Sequence, residues 1–256
     1  MAVFGAYSRY YNLLYRDKDY VGEANYIHRL IQRFLPDAQQ VLNLGCGTGS
    51  HDFILAEHGY EITGVDISEE MLSVASSRAA GNPPRGGAVE FLHGDIREVR
   101  LDKNFDVVLS LFHVISYQTR NEDLSAAFET VKQHLKPGGL FLFDCWYGPA
   151  VLSERPEVRV KRLADDEIEV LRICEPVLKH NENCVDVNYQ VLVTEKKSGE
   201  KEQLQESHKM RYLFMPEVVN LSKEYGMKIL FAQEWMTGRD PGDDTWGVCF
   251  GLANDS

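Results

Sequence analysis

Residues 41–49 are Val41-Leu-Asn-Leu-Gly45-Cys-Gly47-Thr-Gly49, an apolar run that passes into closely spaced glycines. Val41 to Leu44 has the pattern of a short buried strand, with apolar residues flanking a single Asn43. Gly45, Gly47 and Gly49 allow a tight turn and let backbone N–H groups approach a ligand closely. Phe53, Ile54, Leu55 and Ala56 then open a helix, and a second apolar run, Glu61-Ile-Thr-Gly-Val65, ends at Asp66, 21 residues after Gly45. In a βαβ unit an acidic residue at that distance stands at the tip of the second strand, where it can accept the protons of both ribose hydroxyls. The pattern alone does not name the ligand. A dinucleotide fold expects G-x-G-x-x-G, whereas here the third glycine comes one residue early, which weakens a hydride-transfer reading.

The whole chain sets the bounds. Its 256 residues suffice for one sizeable core and a small appendage, and its apolar content of 44% is ordinary for a globular protein. A net charge of −12 argues against a nucleic-acid footprint, which needs a basic face, and favours a small-molecule substrate. Five cysteines (Cys46, Cys145, Cys174, Cys184 and Cys249) are scattered without a C-x-x-C pair, so neither a metal site nor a redox pair is expected, and reduced thiols in a cytoplasmic protein are. The first residues lack the basic-then-apolar pattern of a secretory signal, and no apolar run reaches the roughly eighteen residues that span a bilayer, so no membrane association is expected.

Four further motifs follow in order. Ser68-Glu-Glu-Met71-Leu begins a helix with Ser68 as N-cap. Val89-Glu-Phe-Leu is a third strand leading to His93-Gly-Asp95-Ile96, where Asp95 reads either as a ligand contact or as a turn cap. Phe105 to Phe112 is a buried strand whose C-terminal end should open on a ligand crevice, and it delivers Leu111-Phe-His113-Val-Ile-Ser-Tyr117 there. Asn121 to Leu135 is an amphipathic helix, stopped by Lys136-Pro-Gly-Gly139, and Leu140-Phe-Leu-Phe-Asp144 is a fifth strand.

With these motifs in sequence, the chain resembles the class I S-adenosylmethionine-dependent methyltransferases, whose glycine loop is similar to Leu44-Gly-Cys-Gly-Thr-Gly49. The resemblance implies that Gly45 and Gly47 pass the amino-acid end of S-adenosylmethionine and that Asp66 holds its ribose. It also implies that Ile67, Met71, Asp95 and Ile96 enclose the adenine, and that Tyr20 and Leu111 border the methionine part. For Met71, core packing is the competing role. Tyr11-Asn-Leu-Leu-Tyr15-Arg-Asp-Lys-Asp-Tyr20 is similar to the N-terminal segment of the methyltransferases that dimethylate nucleotide-linked deoxyamino sugars, which implies Tyr15 near an acceptor amine. Tyr7, Tyr11 and Tyr15 recur at helical spacing and read as core packing or as an aromatic lid over a cationic sulfonium.

Methyl transfer requires alignment of donor and acceptor, and removal of a proton where the acceptor carries one. His113 stands where it can take that proton, or can simply orient the acceptor, because a neutral amine attacks unaided. The expected activity is methyl transfer to a nitrogen or oxygen of a small-molecule acceptor, with a nucleotide-linked amino sugar favoured. A nicotinamide-dependent oxidoreductase and a non-catalytic cofactor-binding relative are the alternatives.

From about residue 150 the rhythm changes to alternating runs, clearest in Val185-Asp-Val-Asn-Tyr-Gln-Val-Leu-Val, as in a sheet with one wet face. The expected architecture is an α/β, doubly wound, Rossmann-like seven-stranded sheet with a small antiparallel β insertion before the last helix. Residues 1–154 and 215–256 would form the cofactor-binding core. Residues 155–214 would form the insertion, serving as a wall of the acceptor site or as a homodimer contact.

Overall fold

The computed structural model describes residues 13–16 and 18–255. They form two compact units, one of residues 20–154 with 211–255, the other of residues 155–210 with 13–16, 18 and 19. Tyr7, Tyr10 and Tyr11 of the tyrosine-rich segment lie outside the described residues.

The larger unit follows the alternation of helices and strands read in the sequence. Helix α1 (Tyr20–Phe34) precedes β1 (Gln40–Leu44), α2 (Ser50–Glu57), β2 (Glu61–Asp66), α3 (Glu69–Gly81), β3 (Ala88–His93) and β4 (Phe105–Ser110). Helix α4 (Asn121–His134), β5 (Leu135–Tyr147) and α5 (Gly148–Glu154) follow. After the smaller unit the chain returns as α6 (Met215–Glu224), β10 (Met227–Glu234) and β11 (Gly247–Asn254). Strands β3, β2, β1, β4 and β5 lie side by side in parallel, and β11 pairs antiparallel with both β5 and β10.

Successive residues of a strand face opposite sides of its sheet, and here both sides are covered. Val107 and Leu109 pack in one apolar cluster with Ile27, Leu30 and Ile31 of α1 and Leu55 of α2. Val108 lies in the other, with Phe128 and Val131 of α4 and Val218 of α6. Along β5 the same alternation sends Leu140 and Leu142 to the first cluster and Phe141 and Phe143 to the second. This two-sided burial explains why these strands read as unbroken apolar runs.

The smaller unit is antiparallel, with β6 (Arg159–Ala164), β7 (Ile168–Lys179), β8 (Cys184–Glu195) and most of β9 (Lys201–Leu213). One face of β7 and β8 supplies its apolar cluster, made by Ile168, Val170, Val191 and Val193 with Leu13. The turn into β7 is fixed by Asp165, whose Oδ1 accepts from the N–H groups of Glu167 and Ile168, both at 2.8 Å. In the turn before β9, Gly199 takes a left-handed φ of 74°.

Two expectations are corrected. The hydrogen-bonded sheet has eleven strands rather than seven, because Tyr212 and Leu213 at the end of β9 pair with Trp146 and Tyr147 and join the insertion strands to the same ladder. The fifth strand likewise runs on past Asp144 to Tyr147, since residues 145–147 have these partners on one edge and Gly247 and Val248 on the other.

A buried polar pair sits between β1 and α2. Asn43 Nδ2 donates to Asp52 Oδ1 at 2.7 Å, and both residues are buried. Burial pushes the Asp52 carboxyl up to about 7, against the hydrogen bond from Asn43 and with a smaller upward push from the charge of Asp66. A carboxyl raised in the folded state favours folding most below its unfolded value of about 4, and that advantage is lost as pH rises through about 7. Asp52→Asn removes the ionisation, so the melting temperature of the variant relative to the parent should rise by several degrees between pH 4 and pH 8. A difference independent of pH would contradict this assignment.

Candidate functional site

At the end of β1 the chain makes the turn that the glycines require. Gly45, Gly47 and Gly49 have φ of 84°, 57° and 71°, a region that costs other residues about 1–2 kcal/mol. Gly45 and Cys46 donate their N–H groups to the Val65 carbonyl at 2.8 and 3.0 Å, locking the turn to the end of β2. A Cβ at Gly45 would lie 2.5 Å from Val114 Cγ1, and one at Gly49 2.6 Å from the Phe91 ring. At Gly47 it would meet nothing within 4 Å, so the turn presents an open backbone there.

The Asp66 carboxylate closes this structure. Its Oδ2 accepts from the Gly47 N–H at 2.8 Å and its Oδ1 from the Ser68 N–H at 2.9 Å. Ser68 in turn caps α3 by accepting from the Met71 N–H at 3.3 Å. Each Asp66 oxygen keeps a lone pair for a further donor.

Around this centre the expected residues divide. Ile67, 63% exposed, stands beside Asp66, and Met71 is half-buried in the first turn of α3. Tyr20 packs its ring edge-on to His51, two residues past Gly49, with centroids 5.1 Å apart. Leu111 is 3% exposed, so it lies within the apolar packing. Ile96 is also a core side chain, at 7% exposure. The Asp95 carboxylate engages the Arg97 guanidinium through both oxygens and accepts the Arg97 N–H at 2.9 Å, which holds its pKa below the usual carboxylate range. Asp95 therefore has the bonding of a turn cap, and the same Arg97 reaches Asp123 at 2.9 Å.

Tyr15 belongs to the smaller unit. There burial raises its pKa, the Arg172 guanidinium opposes the shift, and Glu206 adds to it. Arg172 also lies over the Tyr189 ring, 3.7 Å from its centroid.

The segment after β4 is strained. Phe112 and His113 take consecutive left-handed φ of 65° and 62°, before a 3₁₀ turn at Val114–Tyr117. Two such residues together cost a few kcal/mol unless their surroundings hold them. The restraint comes from Asp144 near the end of β5, whose Oδ2 accepts the His113 backbone N–H at 3.1 Å and lies 2.7 Å from the imidazole Nδ1. Sequence reasoning passed over Asp144. The available signal was its place at the carboxyl end of an apolar strand run, the position that singled out Asp66.

A methyltransferase-domain family model matches residues 41–139. The chain is 32% identical over 185 residues to a dTDP-3-amino-3,4,6-trideoxy-alpha-D-glucopyranose N,N-dimethyltransferase of Streptomyces venezuelae, covering 71% of this chain and 74% of that one. A solved S-adenosylmethionine-dependent methyltransferase from Clostridium acetobutylicum ATCC 824 superposes with a TM-score of 0.82 at 21% identity, covering 99% of both chains. An amino pentose methyltransferase from Micromonospora echinaspora, solved with S-adenosylmethionine bound, gives 0.77 at 22% identity over 97% of this chain and 96% of that one.

The chain belongs to the S-adenosylmethionine-dependent methyltransferase family. It is an enzyme of that class with S-adenosylmethionine as methyl donor, and a nicotinamide-dependent oxidoreductase has no support. The residues fit the cofactor, since the backbone is open at Gly47 and Asp66 beside it keeps acceptor capacity for hydroxyl groups. No described helix is long and apolar enough to cross a membrane, and no cluster of metal-ligating side chains occurs among the described residues.

The glycines give a direct test. Gly45→Ala adds a clash to backbone strain and should lower the melting temperature by about 5 °C or more, on overpacking costs of roughly 1–3 kcal/mol. Gly47→Ala, with open space around it, should cost about half as much or less. Equal losses in thermal melts would argue against the observed turn.

Proposed function

We propose that the enzyme methylates the amino group of a nucleotide-linked deoxy sugar, forming an N-methyl or N,N-dimethyl product. The observation that carries the site is the Asp66 carboxylate, bridging the Gly47 and Ser68 N–H groups with lone pairs to spare. The acceptor class is supported by the named substrate of the Streptomyces venezuelae relative. The net charge of −12 favours a small-molecule acceptor over nucleic acid.

In this reading Gly45 and Gly47 shape the loop beside the amino-acid end of the cofactor, and Asp66 accepts from both ribose hydroxyls. Ile67 and Met71 cover the adenine, with Asp95 and Ile96 at its edge, and Tyr20 and Leu111 border the methionine part. Ile67 is suited to its place because it is an exposed apolar side chain next to the ribose acceptor. Bound S-adenosylmethionine would supply an electrophilic methyl group on a cationic sulfonium, with a neutral thioether as the leaving group, for the acceptor nitrogen. His113 takes the proton from the acceptor ammonium, and Tyr15 orients the acceptor.

A wall of the acceptor site is one role read for residues 155–214, and within the smaller unit Tyr15, Tyr189, Arg172 and Glu206 group together. A homodimer contact is the other role open to residues 155–214, and sedimentation would detect it. The five free cysteines suit a reducing cytoplasm.

Asp66→Ala removes two charge-assisted hydrogen bonds to ribose, together worth about 3–6 kcal/mol, so the calorimetric Kd for S-adenosylmethionine should rise by roughly 100-fold or more. Unchanged affinity would remove Asp66 from the site. The acceptor is tested by incubating enzyme and S-adenosylmethionine with dTDP-linked 3-amino and 4-amino sugars, and with simple amines and phenols. A mass gain of one or two methyl groups on the sugars supports the proposal. Gain on the phenols alone would contradict it.

A further inference from the structure

We propose that Asp144 is a positioning residue for His113, fixing the neutral imidazole in the tautomer that carries its proton on Nδ1 and leaves Nε2 to receive the acceptor's proton. This rests on the role given to His113 above, but the geometry behind it is independent of which acceptor binds.

The Asp144 side chain is 2% exposed, and its Oδ2 lies 2.7 Å from His113 Nδ1. An in-plane hydrogen on Nδ1 would point off the line to that oxygen, so the angle alone does not make a hydrogen bond. The distance favours the same tautomer on electrostatic grounds: an Nδ1 that carries a proton is attracted to a carboxylate oxygen 2.7 Å away, whereas an unprotonated, electron-rich Nδ1 is repelled by it. Nδ1 and Asp144 Oδ1 are both buried without a hydrogen-bond partner, and unpaired buried polar atoms carry a cost that pairing the two residues relieves.

Backbone geometry points the same way. The oxygen that faces Nδ1 also accepts the His113 N–H, so one carboxylate holds both the strained backbone and the ring. The other titratable groups that feel the Asp144 charge are Tyr26 of α1, the adjacent Cys145 and Cys249 of β11. Burial pushes all three up, and the Asp144 charge adds to each shift, so all three are neutral near pH 7. Among the described residues His113 is the one basic side chain within ion-pair distance of this carboxylate.

The Nδ1 edge of the ring is covered while the side chain keeps 27% exposure, so the accessible part of the ring lies elsewhere. In the reaction a proton leaves the acceptor ammonium and bonds to Nε2, converting neutral imidazole to imidazolium beside a carboxylate already in place. The nitrogen pair so freed becomes the nucleophile. Return of that proton to solvent restores the neutral ring.

The test is the tautomer of His113 in the cofactor-free protein, read from ¹⁵N shifts and long-range ¹H–¹⁵N couplings of histidine-labelled enzyme at a pH where the ring is neutral. The Nδ1–H form is expected. Predominance of Nε2–H in the parent enzyme overturns the proposal without any variant. Asp144→Ala should shift the population toward Nε2–H and lower kcat tenfold or more, while the calorimetric affinity for S-adenosylmethionine holds within about twofold. A variant with parental kcat would overturn the role of Asp144 in the reaction. Should His113→Asn keep full kcat while the parent ring is Nδ1–H, the assignment of His113 as base fails although the pairing is real.

Discussion

The hydrogen bonds accepted by the Asp66 carboxylate are the constraint on which the rest of the site depends. A turn built on three left-handed glycines takes its path chiefly from backbone contacts. The turn is held by Val65 through its carbonyl and by Asp66 through its carboxylate, two consecutive residues of the neighbouring strand. The same carboxylate fixes the entry of α3 through Ser68. Parallel pairing of β1 with β2 in the register Leu44 to Val65 makes both contacts possible, since it brings the two strands to an end at the same height.

That arrangement is repeated one strand further along. Ser110 at the end of β4 donates its hydroxyl to the Leu44 carbonyl at 3.2 Å, and the chain then turns through two left-handed residues held by Asp144. An aspartate at the carboxyl end of β2 and another near that of β5 thus each restrain a turn that follows a neighbouring strand. Strand ends of this kind are where open α/β sheets place their ligands, because the loops there splay apart between helices on opposite faces. The carboxylates differ in surroundings. Asp66 is half-buried, whereas Asp144 is almost completely enclosed and faces a histidine.

Much of this was legible from the sequence. The glycine spacing, the acid 21 residues beyond Gly45 and the unbroken apolar runs of β4 and β5 determine the doubly wound core, since each reflects a local requirement of the backbone or of two-sided burial. The strand count was not legible, because Tyr212 and Leu213 look like the end of an insertion hairpin and nothing local announces their pairing with Trp146 and Tyr147. Asp95 was open between two roles, and its occupation by Arg97 depends on a side chain two residues away that pattern reading left out. Asp144 escaped for a similar reason. Its partner is distant in sequence, and its function is visible only when the two strand ends are seen together.

The most direct test of the account is an amide ¹H–¹⁵N correlation spectrum recorded while S-adenosylhomocysteine is titrated into the protein. The resonances of Gly45, Gly47, Ile67 and Ser68 should shift together along one saturable curve, because their N–H groups belong to the structure closed by Asp66. Saturation of the ligand with Gly47 and Ser68 unmoved would contradict the account.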